Sequence, residues 1–152
     1  MSDSGRLTLN IIAPDRKHPM RKADFVILPA TEGEIGIMPR HIQLVTSLRA
    51  GVITYVSEAA RTSSRGTDRR YIAISGGFAE ISDDVVTVLA DTAESSEEID
   101  VERAREAYER AQRRLKADDT ELDGLRARTA LERSIARLKA AGALEGVQGS
   151  KR

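Results

Sequence analysis

The residue pattern of this chain changes abruptly near residue 93, and that change limits the folds open to it. Charged residues occupy 22 of the first 92 positions but 26 of the last 60. All four prolines and four of the five aromatic residues lie in the first part, where they are typical of strands and turns. The pattern predicts a β domain over residues 1–92, a polar linker over 93–98, a helical domain over 99–142 and a flexible tail over 143–152.

Five short runs in the first part are rich in β-branched and aromatic residues, with turn residues between them. They span residues 7–12, 25–28, 52–56, 71–74 and 85–89. Such spacing favours an antiparallel β-sandwich or barrel, and no helical period appears before residue 93. The polar stretch Arg61–Asp68 predicts an exposed hairpin loop.

The second part has the period of amphipathic helices. Its two apolar stripes are Val101, Ala104, Tyr108, Ala111 and Leu115, and then Leu131, Ile135, Leu138 and Gly142. Residues 116–120 supply a turn, and Thr120 with Asp123 resembles a helix capping box. We therefore expect an antiparallel two-helix hairpin. Because its stripes contain much alanine and helices of this length are marginal alone, the hairpin should need a neighbour and be able to change it.

Composition and motifs argue against several classes of function. Basic and acidic residues number 24 each, so no net positive field favours non-specific nucleic-acid binding. Without cysteine the chain has neither a thiolate metal site nor a cysteine nucleophile, and its two histidines lack metal-ligand spacing. Glycine-rich phosphate loops and the hydrolase nucleophile elbow are also missing. We expect no catalytic residue, no metal and no nucleic-acid partner.

Membrane and export signals are missing from the sequence as well. No run of about 18 apolar residues occurs, and the first six residues lack the apolar core of a secretory signal. We expect a chain that does not span a membrane and stays inside the cell.

Three strings are more specific than composition. They are GEIGIMPRH over Gly33–His41, YIAISGGFAEI over Tyr71–Ile81, and IDVERA over Ile99–Ala104. In this order they resemble the signatures of the epsilon subunit of bacterial F-type ATP synthase, and the resemblance covers most of the chain. Arg40 replaces the usual glycine, and Gln43 stands where proline is common. These two departures leave the detailed shape of that turn open.

The resemblance implies a β-sandwich followed by two helices, in a non-catalytic rotor subunit of the central stalk. Such a subunit is peripheral on the cytoplasmic face of the bacterial inner membrane, which it meets only through the complex. It joins the gamma subunit to the c ring during proton-driven ATP synthesis, with Glu34 at the position facing the c ring and His41 near gamma. The hairpin either folds down on the sandwich or extends beside gamma. When extended, its basic residues, taken here as Arg110, Arg113 and Arg114, meet the alpha and beta subunits and block ATP hydrolysis.

The resemblance also implies a regulatory ATP site at the folded hairpin, although no cofactor is required. The matching positions are Glu94, Ile99, Asp100, Arg103, Ala104, Arg133 and Arg137. Apart from the resemblance, Arg133 and Arg137 are four residues apart and share a helix face, where guanidinium groups converge on phosphates or acidic side chains. Simpler interpretations are a solvated charged face for the arginines and a helix cap for Asp100.

An alternative hypothesis from another class is a free-standing nucleotide sensor, or a carbohydrate-binding sandwich, with a helical tail. The glycine-rich segment Ser75–Phe78 would then form a ligand rim. Fold alone does not fix function, so the two hypotheses need an experiment. Co-purification separates them, because a stalk subunit emerges with the alpha, beta and gamma subunits and a sensor emerges alone.

Overall fold

The computed structural model describes residues 5–57, 69–117 and 120–144. The strands are β1 (Leu7–Ala13), β2 (Arg16–Lys17), β3 (Arg21–Ala30), β4 (Gly33–Ile37), β5 (Leu44–Ser57), β6 (Arg69–Ser82), β7 (Val85–Ala90) and β8 (Ala93–Ser95). The helices are α1 (Val101–Lys116) and α2 (Glu121–Ala140). The loop predicted over Arg61–Asp68 lies outside the described residues.

The strands form one sheet that closes on itself. Its order is β2-β1-β7-β6-β5-β3-β4, and a further pairing of β1 with β3 joins the two sides. All pairings are antiparallel except that of β1 with β7, which is parallel. The predicted antiparallel sandwich is thus confirmed, and β1 with β7 is its parallel pair.

The interior of the closed sheet is filled by large aliphatic side chains. Alternate residues of a strand face opposite sides of a sheet, so Leu7, Leu9 and Ile11 of β1 all point inward and are buried. They pack with aliphatic residues from β3 to β7, chiefly Val26, Leu28, Ile37, Ile53, Ile72, Ile74, Ile81, Val86 and Val88. This core makes the sandwich a tightly packed unit.

The turn after β4 contains Arg40, one of the two departures from the family pattern. Arg40 adopts a positive φ of 64°, the left-handed conformation that glycine adopts most easily. Its backbone N–H donates to the Asp84 carboxylate in the β6–β7 turn, and this contact holds the conformation. A glycine is therefore the unstrained residue at this position, and Arg40 is tolerated because a second loop restrains it.

The glycines of Ser75–Phe78 serve strand packing. Gly77 has a φ of 139°, and a Cβ there would lie 1.9 Å from the Leu89 carbonyl oxygen. Gly76 is buried, with a φ of 116°. The segment lets β6 pass close to β7, which explains its glycines without a ligand rim.

The segment predicted as a polar linker is instead folded. Ala93–Ser95 form β8, which pairs with β6 through Ala93↔Ile74 and Glu94↔Ala73. Ala93 is fully buried in the sandwich core, and residues 96–98 make one turn of 3-10 helix. A three-residue strand with alternating polar residues carries no periodic signal of its own, so the pairing with β6 was not visible in the sequence.

Both helices of the hairpin begin at caps that the sequence offered. The Asp100 side chain accepts a hydrogen bond from the Arg103 N–H at 3.0 Å, and the Thr120 hydroxyl accepts one from the Asp123 N–H at 3.2 Å. Gly142 lies beyond α2 with a φ of 68°, so it belongs to the helix C-terminus and not to the apolar stripe.

The hairpin is folded down on the sandwich. Helix α2 packs against β5 and β6, and α1 packs against α2. The buried seam consists of Val52, Ala73, Ile99, Ala104, Ala136, Leu138 and Ala140. Ala143 and Leu144, predicted as the start of a flexible tail, also pack against this seam, whereas residues 145–152 lie outside the described residues.

Candidate functional site

A cavity of about 390 Å³ lies where the sandwich meets the hairpin. It is lined by Arg16, Glu94, Glu98, Asp100, Arg103, Ala104, Ala107, Arg110 and Arg137. Its four cations come from β2, α1 and α2, and its carboxylates come from β8, the 3-10 turn and the start of α1. The fold therefore assembles a charged cleft from segments that are far apart in the sequence.

Strand β8 and helix α2 supply the closest ion pair of the cavity. The Arg137 Nε and Nη2 atoms donate to Glu94 Oε1 at 2.9 and 2.8 Å, and the side chains are only 29% and 23% exposed. Because alternate residues of a strand point to opposite sides, burial of Ala93 in the sandwich turns Glu94 toward the hairpin. This contact ties the far end of α2 to the sandwich.

The other carboxylates of the cavity are engaged as well. Arg16 Nη1 lies 3.1 Å from Glu98 Oε1, while Glu98 Oε2 accepts the Ser95 N–H. Asp100 caps α1, as the simpler interpretation of that residue predicted. The Arg103 guanidinium has neither an ion pair nor a hydrogen bond within the described part of the chain. Among the described residues, the cleft thus offers Arg103 as a free cation, together with three further guanidinium groups, to an anion.

Five of the seven residues predicted for the ATP site line this cavity. They are Glu94, Asp100, Arg103, Ala104 and Arg137. Ile99 is buried in the seam below it, and Arg133 is exposed and does not line the cavity. The structure adds four residues that sequence reasoning missed for this site, namely Arg16, Glu98, Ala107 and Arg110.

The residues predicted to contact other subunits occupy exposed positions, except His41, which is half-buried. Glu34 lies on β4, and its Oε1 is 3.7 Å from the Lys139 Nζ of α2. His41 lies beyond the other end of β4, where its Nδ1 contacts the Ile42 carbonyl oxygen at 2.8 Å. Arg113 and Arg114 are exposed on α1. Arg110 is also exposed but faces the cavity, so the structure separates it from the other two arginines.

One titratable group near the cavity is perturbed. Burial, assisted by the positive charge of Arg21, lowers the pKa of His18 below its ordinary value. The His18 Nε2 atom is buried and has no hydrogen-bond partner among the described residues. Burial and the nearby arginines outweigh the attraction of Glu98 and Asp15, so the neutral form is favoured in the folded protein.

Neither a candidate metal site nor a membrane-spanning helix occurs within the described segments. No group of three or more His, Cys, Asp or Glu residues in residues 5–57, 69–117 and 120–144 could hold a metal ion. None of the helices in those segments combines the length and apolar character needed to cross a bilayer.

Family models match both parts of the chain. Residues 6–96 match "ATP synthase, Delta/Epsilon chain, beta-sandwich domain", and residues 97–142 match "ATP synthase, Delta/Epsilon chain, long alpha-helix domain". The boundary between the two models falls after β8, in agreement with the pairing of that strand in the sheet.

Individual relatives agree with the family models. The chain is 50% identical to the ATP synthase epsilon chain of Moorella thermoacetica over 110 residues, or 72% of this chain and 77% of that one. It is 45% identical to the epsilon chain of Desulfitobacterium hafniense (strain Y51) over 112 residues, or 74% and 79%. A chain in the Euglena gracilis mitochondrial ATP synthase shares the fold, with a TM-score of 0.71 and 24% identity over 94% of this chain and 81% of that one.

The molecule is a closed β-sandwich that carries a docked two-helix hairpin, and both of its parts match one family in the same order. The chain belongs to the ATP synthase delta/epsilon family, as an epsilon-type, non-catalytic subunit of the central stalk.

Proposed function

We propose that this subunit joins gamma to the c ring in a bacterial ATP synthase and inhibits ATP hydrolysis through its hairpin. In this proposal it works during proton-driven synthesis, on the cytoplasmic face of the plasma membrane. Three features support it: the family, the bacterial sources of the similar epsilon chains, and the fold shared with a chain of a mitochondrial ATP synthase assembly that includes the c ring. Glu34 is assigned to the c-ring side and His41 to the gamma side.

The observation that carries the inhibitory role is the small size of the side chains that hold the hairpin down. Alanine supplies Ala104, Ala136 and Ala140 of the buried seam, and Leu138 is its one large residue from α2. Burying a methyl group contributes roughly 1 kcal/mol or less, whereas a full leucine side chain contributes about 2 kcal/mol. Docking is therefore weak enough for a second packing of the hairpin to compete, which a switch requires.

The exposed cations of α1 allow the extended hairpin to bind an acidic partner. Arg113 and Arg114 are free of ion pairs within the described residues, and Arg110 contacts only Glu106, at 3.6 Å. Guanidinium groups form strong, bidentate contacts with carboxylates once water is partly excluded. We assign these arginines to acidic segments of the alpha and beta subunits in the extended, inhibitory state.

We also propose that ATP binds weakly to the cavity and favours the folded-down state. The cleft carries four guanidinium groups against three carboxylates, and each carboxylate already has a partner in the chain. A ligand that binds only the docked hairpin stabilises that state by RT ln(1 + [L]/Kd), or about 2.7 kcal/mol at 100 times its Kd. ATP is thus a regulator here and not a required cofactor.

Truncation in the assembled complex tests the inhibitory role. The chain should end after Glu98, because β8 and the 3-10 turn belong to the sandwich whereas Ile99 belongs to the seam. Reconstituted with this shortened subunit, the complex should hydrolyse ATP faster than with the full chain while keeping proton-driven synthesis. Replacing Arg110, Arg113 and Arg114 with alanine should give part of the increase.

Co-purification of the shortened chain provides the control for correct assembly. The shortened chain should still co-purify with the gamma-containing complex, since residues 5–98 keep the whole sheet. Equal hydrolysis rates with the full and shortened subunits, at several nucleotide and salt concentrations, would contradict inhibition by the hairpin.

A further inference from the structure

Arg16 is the sandwich's own cation in the charged cavity. It lies on the two-residue strand β2, where the register Ala13↔Arg16 fixes it beside the end of β1. The other cations that line the cavity, Arg103, Arg110 and Arg137, all belong to the hairpin. An anion that contacts Arg16 together with any of these three therefore bridges the two parts of the molecule.

The ion pairs of Arg16 do not account for its placement. It contacts Glu98 at 3.1 Å and Asp15 at 3.3 Å, and its side chain is 42% exposed. Ion pairs this exposed contribute little to stability, since water screens them and ordering the side chains costs entropy. Glu98, in contrast, has a second role because it accepts the Ser95 N–H. Arg16 is therefore free to exchange one anionic partner for another.

We infer that Arg16 contacts the phosphate chain of the regulatory nucleotide, in exchange for its ion pair with Glu98. This inference rests on the nucleotide site proposed above and assigns that site a residue from the sandwich. The nucleotide is then held by guanidinium groups on both sides of the seam. Undocking the hairpin removes Arg16 from the site, which gives the ligand a direct reason to prefer the folded-down state.

Calorimetry with ATP on the full chain tests the inference. Arg16→Ala should weaken binding about tenfold, as expected for loss of one charge-assisted contact. Glu98→Gln should tighten binding about threefold, because it releases Arg16 and removes a negative charge while an amide oxygen still accepts the Ser95 N–H. Lys17→Ala, the matched control on the same strand, should change the affinity less than twofold, since Lys17 does not line the cavity.

The opposite effects expected for Arg16→Ala and Glu98→Gln on ATP affinity distinguish a ligand contact from a structural ion pair. If Arg16 acted only by pairing with Glu98, Arg16→Ala and Glu98→Gln would weaken binding together, and that result would overturn the inference. Unchanged affinity in Arg16→Ala, with binding lost in Arg137→Ala, would overturn it and leave the nucleotide site intact. Failure of the unaltered chain to bind ATP would overturn the nucleotide site and this inference with it.

Discussion

The sandwich and the hairpin seam are both buried, but they are built from side chains of different size. The sandwich core contains large residues from every long strand, such as Leu9, Ile53 and Ile72. More than half of the buried seam residues are alanines, and its larger buried residues are Val52, Ile99 and Leu138. Since stabilisation rises with the apolar area removed from water, the first unit is held firmly and the second loosely.

This difference divides the work of the subunit between its two parts. A closed sheet packed with aliphatic side chains resists deformation, which suits a body that transmits torque. A helical hairpin fastened by small residues and a few ion pairs opens at low cost, which suits a regulator. The cavity lies between the two parts, so under the proposed function a ligand bound there would oppose opening of the hairpin.

The largest effect is expected from a cavity in the sandwich. Ile53→Ala removes a fully buried side chain and should lower the free energy of unfolding by about 2–5 kcal/mol. Urea unfolding followed by circular dichroism measures this loss. The control Ile12→Ala, at a half-exposed site, should stay within about 0.5 kcal/mol. A small effect at Ile53 would mean that the sandwich is not the firmly packed unit described above.

The second effect should be confined to the hairpin. Leu138→Ala should weaken docking by about 2 kcal/mol or more and leave the sandwich folded. Tryptic cleavage within α2 should then accelerate at least tenfold, because the opened state is more populated. Leu125→Ala, at an exposed position on the same helix, is the control and should leave cleavage unchanged. Simultaneous loss of strand signal would show that the two parts do not open separately.

A smaller effect is expected from the ion pairs across the seam. A double-mutant cycle on Arg137 and Glu94, scored by the same cleavage rate, should give a coupling of about 1 kcal/mol. The pair Lys139 and Glu34 is 3.7 Å apart and more than half exposed, so its coupling should stay below about 0.5 kcal/mol. Equal coupling energies for the two pairs would show that the less exposed contact of Arg137 with Glu94 is no stronger than the more exposed contact of Lys139 with Glu34.

The smallest effect concerns pH. Because the pKa of His18 is lowered in the folded protein, stability is complete above the ordinary histidine pKa and falls as the pH drops toward the folded value. His18→Gln should therefore make the urea midpoint less dependent on pH between about 7.5 and 5.5. If the variant and the parent chain lose stability in parallel over that range, burial of His18 carries no cost on protonation.

Local patterns predicted the main architecture well. The stripe of α1 placed Ala104 and Ala111 inward, and the cap at Thr120 was correctly located. In α2 the predicted stripe of large residues included the buried Leu138. It did not include the small buried residues Gly124, Ala127, Ser134 and Ala136. Small side chains carry little hydrophobic signal, so their burial depends on what the fold places against them.

The candidate site was harder to predict because it is built by long-range pairing. The motif residues around Asp100 and Arg103 were found from the sequence, since they are contiguous. Arg16 was missed because only closure of the sheet brings β2 next to the start of α1. Arg133 was included because it matches a family position and shares a helix face with Arg137, but it does not line the cavity.

Native-state hydrogen exchange on the isolated chain tests the division of the molecule most directly. Amides of α2 should exchange through openings that cost several kcal/mol less than those of the β5–β6 core around Ile53 and Ile72. Saturating ATP should slow exchange in α2 and leave the core strands unchanged. The same opening free energy in both regions, with or without ATP, would contradict the account of a firm sandwich that carries a detachable hairpin.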